Sequence, residues 1–125
     1  MKLSAEITAP VNPTESGSKV LKAVLNIFPK ASVRQGSDNV FASFDSAEGF
    51  EKLRMLIRSR RIRASARAVL SKGLRGNLLV FYINKQAAYV GRLSFYEPGE
   101  VVALEPITVK VYCSDAAQLV RWLTE

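Results

Sequence analysis

Leu3-Ser4-Ala5-Glu6-Ile7-Thr8-Ala9-Pro10 decides the fold, because Leu3, Ala5 and Ile7 alternate strictly with Ser4, Glu6 and Thr8. Period-two alternation predicts a strand buried on one face, ending at Pro10, which has no N–H to give to a ladder. Val11-Asn12-Pro13-Thr14 is turn chemistry, and Thr14 or Ser16 can cap a helix. Val20, Leu21, Val24, Leu25 and Phe28 then recur at helical spacing until Pro29 stops them. Strands over Ala31 to Gln35 and Val40 to Phe44, joined through Gly36-Ser37-Asp38-Asn39, complete a β-α-β-β unit. A strand apolar on one side needs helices on that side. The class expected is α+β, a single antiparallel or mixed sheet with helices packed on it.

Working outward, Asp45 or Ser46 opens a helix with Phe50, Leu53, Leu56 and Ile57 inward. Arg60 and Arg61 stand where that apolar face would continue, and the phase resumes at Ile62, Ala66, Val69 and Leu70. The break predicts two helices joined near Ser59. Gly73 and Gly76 end the region, and Asn77 to Ile83, which shows no alternation, reads as a central strand covered on both faces. A loop or short helix from Gln86 to Val90 precedes a short strand around Leu93 and a turn at Glu97-Pro98-Gly99-Glu100. Ile107, Val109, Val111 and Cys113 alternate as a strand. Asp115 caps a final helix with Leu119, Val120 and Leu123 inward and Trp122 at its margin. The expected order is β-α-β-β-α-α-β-β-β-α in one domain over 1–125.

Composition narrows the chemistry. The 125 residues include 48% hydrophobic, no His and one Cys, so a core can form without disulfide or metal. Imidazole-dependent nucleophile activation is excluded, and one Cys among scattered acids builds no zinc site. The longest apolar run, Leu78 to Ile83, is far short of a membrane span, and Ser4 and Glu6 interrupt any secretory core at the N-terminus. A cytoplasmic protein without cofactor, metal or membrane contact is expected. Cys113 reads as a buried small hydrophobe.

Charge placement carries the functional expectation. Lys and Arg total 18 against 11 acids, and no acid occurs between Glu51 and Glu97. Most of the cations in that block are Arg, whose planar fork suits phosphate. Arg54, Arg58 and Arg61 recur at i, i+4, i+7, and Arg60, Arg63 and Arg67 at i, i+3, i+7. Each set forms a stripe off the apolar face, with Ser59, Ala64, Ser65, Ala66 and Ala68 leaving room for a backbone to approach. Lys72, Arg75, Lys85 and Arg92 extend the patch. A non-catalytic RNA-binding protein holding phosphates through these residues is expected. Tyr82, Tyr89, Phe95 and Tyr96 lie near the block, but Tyr82 and Phe95 read as core, so base specificity is not implied. The alternatives are an interaction or accessory module for an acidic protein partner, and an enzyme acting on a phosphorylated small molecule through Lys85 and nearby Arg for charge stabilisation. The latter has no evident general base. Lys72-Gly73-Leu74-Arg75-Gly76-Asn77 lacks P-loop spacing and reads as a helix C-cap and turn.

Three stretches also resemble a known family. They are Leu3 to Pro10 followed by Val11-Asn12-Pro13-Thr14-Glu15, then Ala66-Arg67-Ala68-Val69-Leu70, then Phe81-Tyr82-Ile83-Asn84-Lys85-Gln86-Ala87-Ala88. In that order they resemble an uncharacterised archaeal family described as predicted RNA-binding. The resemblance implies a fold like that of the fifth-numbered large-subunit ribosomal protein. Leu104-Glu105-Pro106-Ile107 departs from the family's Leu-Gly-Pro-Ile. Some relatives look fused to a P-loop kinase-like domain, which implies an accessory role in nucleotide or coenzyme metabolism as the alternative function.

Overall fold

A computed structural model describes residues 2–97 and 105–125. The chain runs β1 (Leu3–Pro10), α1 (Gly17–Ile27), β2 (Ser32–Gln35), β3 (Asn39–Phe44), a 3-10 turn (Ala47–Phe50), α2 (Glu51–Ser59), α3 (Arg63–Lys72), β4 (Leu74–Arg75), β5 (Leu78–Ile83), α4 (Lys85–Tyr89), β6 (Phe95–Tyr96), β7 (Ile107–Cys113) and α5 (Ala116–Leu123). The strands form one sheet in the order β2-β3-β1-β7-β5-β4, with β6 also pairing β5. Every pairing is antiparallel. The turn read at Pro98-Gly99-Glu100, and Leu104, lie outside the described residues.

The alternation of β1 and β7 sets the two-layer plan. Leu3, Ala5, Ile7 and Ala9 of β1 and Ile107, Val109, Val111 and Cys113 of β7 are buried beneath the helices, while Ser4, Glu6, Lys110 and Tyr112 are exposed opposite. Ile7 sits directly across from Val109 and Ala42, so one apolar row crosses three strands. Phe28, Phe44 and Phe50 close the core beneath α1, with ring centroids 4.7–6.1 Å apart.

Three expectations need correction. First, β5 is not covered on both faces: Leu79, Phe81 and Ile83 are buried, whereas Leu78, Val80 and Tyr82 are half-buried on the side away from the helices. Second, the inner face of α1 is Val20, Ala23, Val24 and Ile27, with Leu21 and Leu25 only half-buried. The packing of α4 against α1 accounts for the rotation, since Asn26 Nδ2 donates to the carbonyls of Ala88 and Tyr89. Third, Leu74-Arg75 is a strand rather than only a turn, paired with Leu79 and Leu78 across Gly76 at φ 62°. Gly73 matters for size: a β-carbon there would fall on the Val80 carbonyl.

The break expected near Ser59 is present, since α2 ends at that residue. Asp115 caps α5 through Gln118 N (3.0 Å), and Leu119, Val120 and Leu123 point inward. Among the described residues, no helix is long and apolar enough to cross a membrane, and no three His, Cys, Asp or Glu side chains gather as metal ligands.

Candidate functional site

The basic block folds into a corner. Backbone N–H groups of Arg61 and Ile62 bond the carbonyls of Arg58 and Ile57, each at 3.2 Å. This paired closure of α2 requires a left-handed residue at position 61, and Arg61 adopts φ 57°. Glycine is the usual occupant of that position, because a side chain there costs about 1 kcal/mol. Arg63 then begins α3, whose first turn carries no acid and whose N-cap, Ile62, gives no side-chain cap. A cation beside a positive helix end is locally unfavourable. An arginine in a glycine's place and another on the wrong helix end concentrate positive charge where stability argues against it.

Around this corner Arg58, Arg60, Arg61 and Arg63 are exposed, and among the described residues their side chains have neither hydrogen bond nor ion pair. The other expected site residues are placed differently. Arg54 Nε donates to the Trp122 carbonyl (2.9 Å), its guanidinium lies 4.8 Å from the Trp122 ring centroid, and Nη2 stands 3.5 Å from Glu125. Arg67 donates to Thr124 Oγ1 (2.9 Å) and to the Thr124 carbonyl (3.1 Å). Both arginines therefore satisfy the carbonyl end of α5, where the helix dipole is negative. Lys72 pairs with Glu97 at 2.6 Å, and Arg75 donates to the carbonyls of Lys72 and Leu74. Arg92 is exposed in the turn after α4.

Lys85 leaves the expected patch altogether. It is 3% exposed, and its ammonium donates to Glu15 Oε1 (2.7 Å) and to the Pro10 carbonyl. Burial would raise the Glu15 pKa, but hydrogen bonds from Lys85 and from the Asn12 backbone, with the Lys85 charge, hold it below the ordinary value. A buried, paired ammonium offers nothing to a polyanion. Beside it, Glu15, Lys19, Gln86 and Tyr89 line a depression of about 390 Å³.

Sequence reasoning missed the left-handed bend at Arg61, since no glycine marks it, and the anchoring of Arg54 and Arg67, whose partners lie 68 and 57 residues away. Replacing Arg61 with Gly is expected to raise stability by about 0.5–1 kcal/mol in a denaturant melt. If this arginine touches a polyanion, the same change reduces the salt slope of binding by the equivalent of about one phosphate.

Comparison with known proteins places the chain. A family model described as "RNA binding" matches residues 4–112. A UPF0201 protein of Methanothermobacter thermautotrophicus is 40% identical over 118 residues, covering 94% of this chain and 88% of that one. A UPF0201 protein of Pyrobaculum neutrophilum is 44% identical over 127 residues, covering 97% and 88%. The crystal structure of a UPF0201 protein from Methanococcus jannaschii superposes with a TM-score of 0.85 at 36% identity, over 98% of this chain and 99% of that one. A DUF54 protein from Methanothermobacter thermautotrophicus shares the fold at 18% identity, with a TM-score of 0.64 over the full length of both. On the strength of these matches the chain belongs to the UPF0201 proteins and to the family whose model is described as RNA binding.

Proposed function

We propose that this protein binds RNA by its phosphate backbone, without catalysis, and that Arg58, Arg60, Arg61 and Arg63 at the α2–α3 corner carry the contact. The observation that carries the reading is four exposed guanidinium groups on one bend, none engaged by a protein acceptor among the described residues. Guanidinium forks suit paired contacts to phosphate oxygens, and the uncapped start of α3 adds backbone donors beside them. Arg54, Arg67, Lys72 and Arg75 continue the positive field along α2 and α3 while holding structural partners of their own. Arg92 is a marginal contact, and Lys85 is assigned to the fold. The family description supports the same ligand class. A single domain, a ribosomal-protein-like fold and a cytoplasmic location belong to this proposal.

A salt titration tests it. Each neutralised phosphate contributes about 0.7–0.9 to the slope of log affinity against log salt. Four corner arginines, each on one phosphate, give a slope of about 3 or steeper on a structured RNA. Binding that is undetectable at low salt, or indifferent to salt, overturns the proposal. A pull-down whose main product is an acidic protein and survives ribonuclease assigns the basic corner to that partner instead.

A further inference from the structure

The sheet face away from the helices carries side chains that a merely solvated face does not need. Along β1 that face is polar, with Ser4, Glu6 and Thr8. Other strands add aromatic rings to it. Register aligns Arg34, Phe41, Thr8, Thr108, Tyr82 and Tyr96 in one row across six strands. A parallel row holds Ser4, Tyr112, Leu78 and Arg75. Tyr112 is 49% exposed, and Phe41 and Tyr82 are half-buried without packing on the core. An antiparallel sheet with one wet face ordinarily alternates apolar-in, polar-out, so aromatic rings on the wet side ask for an occupant.

The charges on this face identify the occupant's chemistry. Arg34, Lys110 and Arg75 stand on it, with Lys2 at its rim, against Glu6. A second copy of the chain docked here would bring these cations toward their equivalents, a repulsive juxtaposition. A polyanion meets no such penalty. The rings and cations also occur together. One shallow depression of about 460 Å³ is lined by Arg34 and Phe41, whose guanidinium carbon lies 4.8 Å from the ring centroid. Another of about 390 Å³ is lined by Lys2, Arg75, Asn77 and Tyr112. Strand spacing and rise put Phe41, Tyr82 and Tyr112 at the corners of a triangle with sides of about 14–16 Å. Each ring can thus serve a separate base, and a guanidinium plane backed by a ring is itself a stacking surface.

We infer that this open sheet face is a stacking platform for two or three unpaired bases of single-stranded RNA, with Tyr112 and the Arg34–Phe41 pair as its principal contacts. The inference rests on the reading that the protein binds RNA and adds base stacking to phosphate contact. It places the single-strand site on the opposite side of the molecule from the helical layer. A duplex keeps its bases stacked inside and gains little from these rings.

The test compares an unstructured uridine-rich oligoribonucleotide with an RNA hairpin of equal phosphate number, by fluorescence anisotropy at fixed salt. Tyr112→Ala is expected to weaken the single strand about tenfold or more. The hairpin should change less than twofold, and the salt slope should not move. Tyr112→Phe should restore affinity and Tyr112→Leu should not, because stacking needs the ring rather than its bulk. A melting curve checks that each variant remains folded. A thiouridine in the single strand should cross-link to Tyr112. Equal losses on both RNAs, or no loss on the single strand, overturn the platform while leaving the phosphate reading intact. So does a wild-type dimer that Tyr112→Ala dissociates, which gives the face to a second copy. Wild-type protein that binds neither RNA overturns both readings.

Discussion

Replacing Arg58, Arg60, Arg61 and Arg63 together with Ala is expected to weaken RNA binding about 100- to 1000-fold at low salt and to lower the salt slope by about three. The size follows from counterion release. Four phosphates at about 0.7–0.9 each sum to roughly 2.8–3.6 in slope, and each phosphate left unneutralised weakens binding more as salt is reduced. Stability should barely fall, because among the described residues these side chains hold no protein partner. Alanine at position 61 still needs a positive φ, so that substitution brings no relief of its own. Arg54 and Arg67 provide the contrast. Replacing them strips acceptors at the end of α5 of their donors, including carbonyls of Trp122 and Thr124, and should lower stability before it lowers affinity. If the quadruple variant binds a structured RNA with an unchanged slope, the corner is not the phosphate site.

The parts of this molecule legible in the sequence are those whose cause is local. Alternation in Leu3 to Pro10 and Ile107 to Cys113 is a property of each strand, and the observed burial follows it residue for residue. The interruption at Arg60 and Arg61 likewise marks where α2 must end. Leu78 to Ile83 is less legible, because an apolar residue at every position suits either a strand covered twice or one whose open face holds Leu78, Val80 and Tyr82 among neighbouring side chains. The fate of each cation is least legible. Arg58 and Arg54 lie four apart on one helix, yet among the described residues one has no partner and the other reaches a carbonyl 68 residues away. Charge patterning gives the sign of a region's field. Only tertiary structure decides which charges remain available.

Lys85 shows that distinction most sharply, and Lys85→Met is expected to lower stability by about 3 kcal/mol. In a chain of this size the melting temperature should fall by about 10 °C. The side chain is buried where β1, the Asn12 turn and α4 meet, so its removal leaves the Glu15 carboxylate without its cation and the Pro10 carbonyl without that donor. Asn12 still donates twice to Glu15, at 3.0 Å each, and Gln86 Nε2 once at 3.4 Å, but these neutral donors do not offset a desolvated charge. Adding Glu15→Gln should return part of the stability by removing that charge. The pH dependence has a definite sign. Because Glu15 is held below its ordinary value of 4.5 in the fold, the unfolded chain binds the proton more readily. The pair's stabilisation is thus complete at pH values above 4.5 and is lost as the pH falls through the lower folded value, a loss absent from Lys85→Met. RNA binding supplies the decisive control. A lysine that held a phosphate would take nearly one unit of salt slope with it, whereas one confined to the Glu15 pair leaves the slope of the folded variant unchanged.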